Sequence, residues 1–202
     1  SHDGQDAAGP INAPCPSIAD VEVNEQKNPL FYLHRRLAPD TGGAGRRRGG
    51  MGAEEALTIS IPQAEALVMT HGLEVPNSVG LSGGQPGGVI AQSLAKDFLA
   101  HAGDRPAVRP LDADDHRDFA PLGPKPGAFP MTSADVFAVT WQGGGGIGDP
   151  LDRDPDDVVA DVRRGVVSRH AAETDYGVVL RADGRGAVNG WHRDETALRR
   201  RE

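Results

Sequence analysis

The chain has 202 residues, with 27 glycines, 16 prolines, only 4% aromatic residues and a mean hydropathy of −0.43. That length can bury a sizeable core, but one built on Val, Leu, Ile and Ala between long loops. A formal net charge of −8 excludes broad binding to nucleic acid or an anionic membrane, because phosphate-rich surfaces need a basic partner. In chain order, the first residues up to Pro16 are polar and broken by Gly4, Gly9, Pro10, Pro14 and Pro16. They read as an extended segment held by something else. Ala19-Asp20-Val21-Glu22-Val23 alternates with period two, as a half-buried strand does. Leu30-Phe31-Tyr32-Leu33 opens a second strand, and Leu57-Thr58-Ile59-Ser60-Ile61 a third, stopped by Pro62. Leu67-Val68-Met69 and Gly88-Val89-Ile90-Ala91 read as further edges. No long amphipathic helix is expected before residue 150. Residues 102–130 carry many prolines and an acidic patch, Asp112, Asp114, Asp115 and Asp118, and read as an irregular surface connection. Residues 131–142 hold one strand centred on Val136-Phe137-Ala138-Val139.

Beyond residue 150 the pattern changes. Asp154 is an N-cap, Pro155 fits the first helical position, and Asp156 and Asp157 suit the first turn. Val158, Val159 and Val162 form the apolar face and Gly165 ends the helix. Ser168 caps a second helix through Glu173, Val178-Val179-Leu180 is a strand, Asp183-Gly184 a tight turn, and residues 194–201 a last, exposed helix. The fold class is α+β: a strand-dominated mixed domain with long Gly/Pro-rich loops and a short C-terminal helical region. The division is 1–150 for the β-rich region and 151–202 for the helix-helix-hairpin region, expected to pack as one unit.

Two glycine-rich loops dominate. The first is Pro39-Asp40-Thr41-Gly42-Gly43-Ala44-Gly45-Arg46-Arg47-Arg48-Gly49-Gly50-Met51-Gly52. Its glycines let backbone approach backbone or ligand closely, and its arginines could hold a carboxylate or phosphate. The same residues equally describe a hairpin whose arginines lie in solvent or pair with acids. No Gly-Lys-Ser/Thr ends the loop, so it is not a Walker loop. The second is Gly143-Gly144-Gly145-Gly146-Ile147-Gly148-Asp149-Pro150. It satisfies dinucleotide spacing, but Asp149-Pro150 follows and no βαβ unit is visible; a turn packed against another subunit fits better. Asp152, Asp154 and Asp156 imitate a calcium loop, yet Asp157 and Arg163 stand where Gly and Glu are required. No two of the seven histidines have the close spacing that puts ligands on one helix face. The single cysteine, Cys15, excludes a disulfide framework and a thiolate-rich zinc site. A winged-helix reading of residues 154–188 fails on charge, with ten basic against eleven acidic residues from Leu151 onward.

Taken in order, His2-Asp3-Gly4, Gly9-Pro10-Ile11-Asn12, residues 39–46 with Arg48-Gly49-Gly50, residues 143–150, Arg153-Asp154-Pro155, Asp161-Val162 and Tyr176-Gly177-Val178-Val179 resemble the hydantoinase B/oxoprolinase family. The resemblance implies a B-type subunit of an ATP-dependent enzyme that hydrolyses cyclic amides such as hydantoin, 5-oxoproline or a lactam. The alternative is a subunit of an ATP-dependent ketone carboxylase of the acetone or acetophenone type, toward which Pro29-Leu30-Phe31-Tyr32-Leu33 and Trp141-Gln142 lean without reversing the order. A non-catalytic assembly subunit is a third reading. The resemblance further implies that an A-type partner subunit binds ATP and Mg. This chain corresponds to the C-terminal part of a B-type subunit, and the family's transition-metal ligands belong to an N-terminal B-type part. No cofactor is then expected on this chain alone. The opening on Ser1 is read as a cut or processed end. His2 and Asp3 are the expected catalytic pair, and Arg46, Arg48, Gly143, Gly144 and Gly145 the expected binders of substrate or anion. A hetero-oligomer in the cytoplasm, acting on a small molecule and touching neither nucleic acid nor membrane, is the setting these readings imply.

Overall fold

The computed structural model describes residues 2–7, 20–101, 119–183 and 186–199. Cys15, Gly9-Pro10-Ile11-Asn12 and the acidic patch at residues 112–118 lie outside the described residues. The framework is a five-stranded, wholly antiparallel sheet in the order β1-β2-β7-β4-β5. Its strands are β1 (Leu30–Leu37), β2 (Ala53–Ile59), β4 (Ala91–Ala95), β5 (Ala120–Pro121) and β7 (Val136–Thr140). Pro121 sits in the edge strand, where a missing N–H costs no ladder bond. Two two-stranded antiparallel sheets complete the β structure: β3 (Gln63–Leu67) with β6 (Ala128–Thr132), and β8 (Leu180–Ala182) with β9 (Val188–Trp191). The α+β reading holds.

Several element boundaries differ from the sequence reading. The alternating stretch at Asp20-Val23 is not a strand but the start of α1 (Val21–Lys27). Five alternating residues do not specify a pairing partner, whereas Asp20 caps the helix by accepting from the Val23 N–H at 3.2 Å. Glu22 in the first turn and Lys27 in the last suit the helix dipole. The helix is then clamped to β1: Glu25 Oε1 accepts from the Tyr32 N–H at 2.8 Å, and the Tyr32 hydroxyl accepts from Asn24 Nδ2 at 3.0 Å. The single strand expected over residues 131–142 is two, β6 and β7, broken at Ser133-Ala134-Asp135. The buried Asp135 carboxylate fixes that turn, accepting from the Thr132 and Asp97 N–H groups and from Lys96 Nζ at 2.8–2.9 Å. A short helix, α2 (Phe98–His101), follows β4.

The C-terminal region follows its punctuation closely. After a single 3-10 turn at Pro150–Asp152, α3 (Pro155–Arg163) begins with Asp154 accepting from the Asp156 N–H at 2.9 Å. Gly165 stops it in the left-handed region at φ +72°. Ser168 caps α4 (Arg169–Thr174) through the Ala171 N–H at 3.0 Å. The last helix, α5 (Arg193–Arg199), is less exposed than expected, because Thr196 is buried and its hydroxyl accepts from the Val179 N–H at 3.0 Å. One apolar cluster joins Val158, Val166, Val167, Ala171, Ala172, Tyr176 and Val178 to Ala44 and Met51 of the first glycine loop. A second, of Ala56, Ala95, Phe119, Val136 and Ala138, lies on the five-stranded sheet. Among the described residues no helix is long and apolar enough to cross a membrane.

Candidate functional site

Residues 2–7, 41–52, 78–88 and 143–148 lie side by side as extended segments joined by backbone hydrogen bonds outside the regular ladders. Gly43 donates to Gly144, Gly144 to Gly50, Gly49 to Gly43, Gly146 to Gln85, Gln85 to Ala44, and Gly4 to Arg48, all at 2.7–2.9 Å. At most of the glycines the spacing between these segments leaves no room for a side chain. A Cβ at Gly49 would lie 1.9 Å from the Gly144 carbonyl oxygen, one at Gly143 2.3 Å from that of Thr41, and one at Gly145 2.0 Å from that of Val79. The glycines therefore build a layer packed backbone against backbone, which is the structural meaning of both glycine-rich loops. The Gly144 N–H is engaged within this layer, so it does not point outward to an anion.

One side of the layer is fastened by a network of three arginines and three aspartates, of which Arg48, Arg153 and Asp161 are buried. Arg153, 1% exposed, grips Asp3 with both terminal nitrogens at 2.8 Å, and its Nη2 also donates to Asp161 at 2.7 Å. Asp161, 0% exposed, accepts in turn from Arg164 at 2.7 Å and lies 3.6 Å from Arg48 Nε. Arg48 Nη1 donates to Asp6 at 3.2 Å and to the Gly49 carbonyl at 3.0 Å, while Asp6 accepts from the Met51 N–H at 2.8 Å. The charges balance within the network, as a buried set requires. Burial alone would raise the Asp3 carboxyl, but the hydrogen bonds and charge of Arg153, with the charge of Arg48, hold it below the usual carboxylate range. Burial would likewise weaken the Arg153 charge, and the two carboxylates more than reverse that. Tyr176, buried beside the network, is pushed up to about 12, chiefly by desolvation.

The expected site residues thus divide. The structure gathers Asp3, Arg48 and the glycines of residues 143–145 into one layer, with Asp3 and Arg48 committed to ion pairs. His2 is exposed at its edge, and so is Arg46. Arg46 and Arg47 line a cleft of about 440 Å³ together with Asp152, Arg153, Asp154, Pro155 and Asp157. Three carboxylates line it with two guanidinium groups that have no ion-pair partner among the described residues, which suits a polar or zwitterionic surface better than a free anion. Arg153 and Asp161 were not singled out as site residues. A signal for Asp161 is present in the sequence: with Val158 and Val162 it falls at i, i+3 and i+4 on the apolar face of α3, where a lone acid requires a buried cation. Among the described residues, no three His, Cys, Asp or Glu side chains are gathered to hold a metal ion.

Comparison with known proteins agrees with the motif pattern. The sequence profile of the hydantoinase B/oxoprolinase family matches residues 1–150. The acetone carboxylase alpha subunit of Xanthobacter autotrophicus (strain ATCC BAA-1158 / Py2) is 29% identical over 93% of this chain and 26% of its own length. Caprolactamase subunit beta of Pseudomonas jessenii is 32% identical over 93% of this chain and 29% of its own length. In three dimensions, nucleotide-free acetone carboxylase superimposes with a TM-score of 0.77 at 28% identity, over 99% of this chain and 28% of that one. The ATP-dependent caprolactamase from Pseudomonas jessenii gives 0.66 at 26% identity, over 91% of this chain and 28% of that one. The chain spans little more than a quarter of the length of these relatives.

Proposed function

The chain belongs to the hydantoinase B/oxoprolinase family, and from that premise we propose that it is the C-terminal part of a B-type subunit in an ATP-dependent enzyme that opens a cyclic amide. The observation that carries this reading is the 32% identity, across nearly the whole chain, to a subunit of an enzyme named for a lactam. In this reading ATP and Mg are held by an A-type partner subunit. When bound there, ATP supplies a phosphoryl group that makes the amide oxygen a good leaving group. This chain contributes a rigid layer that fixes the edge carrying His2 and Arg46. His2 presents an imidazole, a group able to accept and return a proton, anchored through its neighbour Asp3. Arg46, and not the ion-paired Arg48, is the arginine presented to a polar group of the substrate or partner in that cleft.

Ketone carboxylation is the second reading, favoured by the higher TM-score and fuller coverage of the acetone carboxylase structure. Both share carbonyl activation and differ in whether water or a carboxylating species attacks. The test is ADP release by the assembled enzyme with hydantoin, 5-oxoproline, ε-caprolactam, acetone and acetophenone, each with and without bicarbonate. Cyclic-amide-stimulated release that ignores bicarbonate is the expected result. Ketone-stimulated release that requires bicarbonate would replace it with the second reading, and stimulation by none of the five would refute both.

A further inference from the structure

One face of the glycine layer carries an apolar row that the described chain leaves uncovered. Ile147 pairs with Arg47 across an antiparallel bridge and with Leu81 across a parallel one. Residues paired directly across extended segments send their side chains to the same face, so Leu81, Ile147 and Arg47 stand abreast. Leu81 is 56% and Ile147 50% exposed, and Val79, two residues before Leu81, is 70% exposed. Backbone bonds hold the row in place: Leu81 donates to the Gly146 carbonyl and Gly148 to that of Leu81, both at 2.9 Å. Close packing fixes it further, since a Cβ at Gly84 would lie 2.2 Å from the Gly146 carbonyl oxygen. The chain running into and out of each of these residues is described. At its Arg47 end the row meets the cleft lined by Arg46, Asp152, Asp154 and Asp157. A firmly held apolar strip is therefore rimmed by charges of both signs. Single exposed apolar side chains are ordinary on a protein surface, whereas a contiguous set with a polar rim marks contact with another polypeptide.

We propose that this row is where the remaining portion of the B-type subunit docks, through an apolar segment flanked by groups of both charges that meet the rim of the cleft. The inference rests on the B-type reading above and deepens it by naming the surface that the partner covers. The length of the relatives selects this occupant. Nucleotide-free acetone carboxylase matches 99% of this chain with only 28% of its own. Most of a B-type polypeptide thus lies outside the fold formed here and needs a face of it to pack against. The place is selected by Arg46, which shares the cleft with the end of the row. That reading puts a polar group of the substrate or partner there, so the remaining portion has to reach the same edge to complete the site.

The experiment places a photo-crosslinking residue, p-benzoylphenylalanine, at position 81 in the assembly isolated through this chain, with crosslinked peptides identified by mass spectrometry. The control position is 67, because Leu67 is comparably exposed but lies on the separate β3–β6 sheet. The probe at 81 joins the remaining B-type portion, in several-fold higher yield than the probe at 67. Crosslinking to the A-type subunit instead, to no subunit, or in equal yield from both positions would overturn the surface. In parallel, Leu81→Asp and Ile147→Asp combined weaken association with that portion about 30-fold or more, the effect of losing a hot spot, and Leu67→Asp leaves it unchanged. Thermal melting of the purified chain checks that the double variant folds, since surface substitutions change stability little. Unaltered association of the double variant, with lactam-stimulated ADP release intact, would overturn the surface while leaving the hydrolase reading standing. Crosslinking from 81 to the B-type portion, in an assembly whose ADP release answers none of the five compounds, would leave the surface standing and overturn that reading.

Discussion

Replacing Asp161 with alanine tests whether the buried ion network holds the glycine layer to the C-terminal helices. Asp161 is fully buried and shared between Arg153 and Arg164 at 2.7 Å, with Arg48 at 3.6 Å. Its removal takes from two nearly inaccessible arginines, at 1% and 8% exposure, the one fully buried carboxylate between them, leaving Arg153 with Asp3 and Arg48 with Asp6. Breaking a buried pair in this way costs about 3–5 kcal/mol. For a chain of this length each kcal/mol lowers Tm by about 2–4 °C, so the expected loss is roughly 6–20 °C. Arg164 supplies the internal control, because its side chain is 63% exposed and Asp161 keeps its other two partners. Arg164→Ala should cost about 0–1 kcal/mol. The assay is thermal melting followed by far-ultraviolet circular dichroism, with a guanidinium titration to check that the transition stays two-state. Equal, small shifts for the two variants would refute the claim that this network fastens the layer.

The glycine layer makes a graded prediction. Gly145→Ala should prevent native folding or lower Tm steeply, because its Cβ would meet the Val79 carbonyl at 2.0 Å. Gly144→Ala, at 3.3 Å from its nearest neighbour, should be far milder, and Gly123→Ala, with open space around it, should be neutral or stabilising by about 0.4–1 kcal/mol; equal effects at all three positions would refute the packing argument. Because the Asp3 carboxyl is held below its ordinary value, its stabilisation is complete above about pH 4 and is lost as pH falls through its lowered pKa; Asp3→Asn should lower stability at pH 7 and flatten the acid limb of a denaturation–pH series. Tyr176 should titrate near 12 by tyrosinate absorbance, with stability falling as pH rises from 10 towards 12, since only the unfolded chain ionises freely there. In the assembled enzyme His2→Ala should reduce kcat by about 10²-fold or more with the fold unchanged, and unchanged kinetics would remove the proton-transfer role.

The sequence was most legible where local chemistry alone decides structure. Asp154-Pro155 and Ser168 placed the starts of α3 and α4, since a cap and its N–H partner are only two or three residues apart. It was least legible where distant residues decide. Alternation at Asp20-Val23 reads as a strand because the clamp of Asn24 and Glu25 to Tyr32 on the next strand, which holds the helix, is not visible in the local pattern. The break at residues 133–135 depends on Asp135 meeting Lys96 and Asp97 from another strand's end. The glycine loops were visible as motifs, but their role was not. Whether Arg48 faces a ligand or an aspartate turns on Asp3, Asp6 and Asp161, which lie more than forty residues away in either direction. Asp161 on an apolar helix face was the one readable hint of that network.

The measurement that bears most directly on the account is native mass spectrometry of the assembly isolated gently through this chain from its own source. Membership in a multi-subunit, ATP-dependent enzyme predicts a particle far heavier than the 21.2 kDa of the chain, containing a nucleotide-binding partner and the remaining portion of a B-type subunit. A species consisting of this chain alone would contradict it, and the catalytic reading would fall with it.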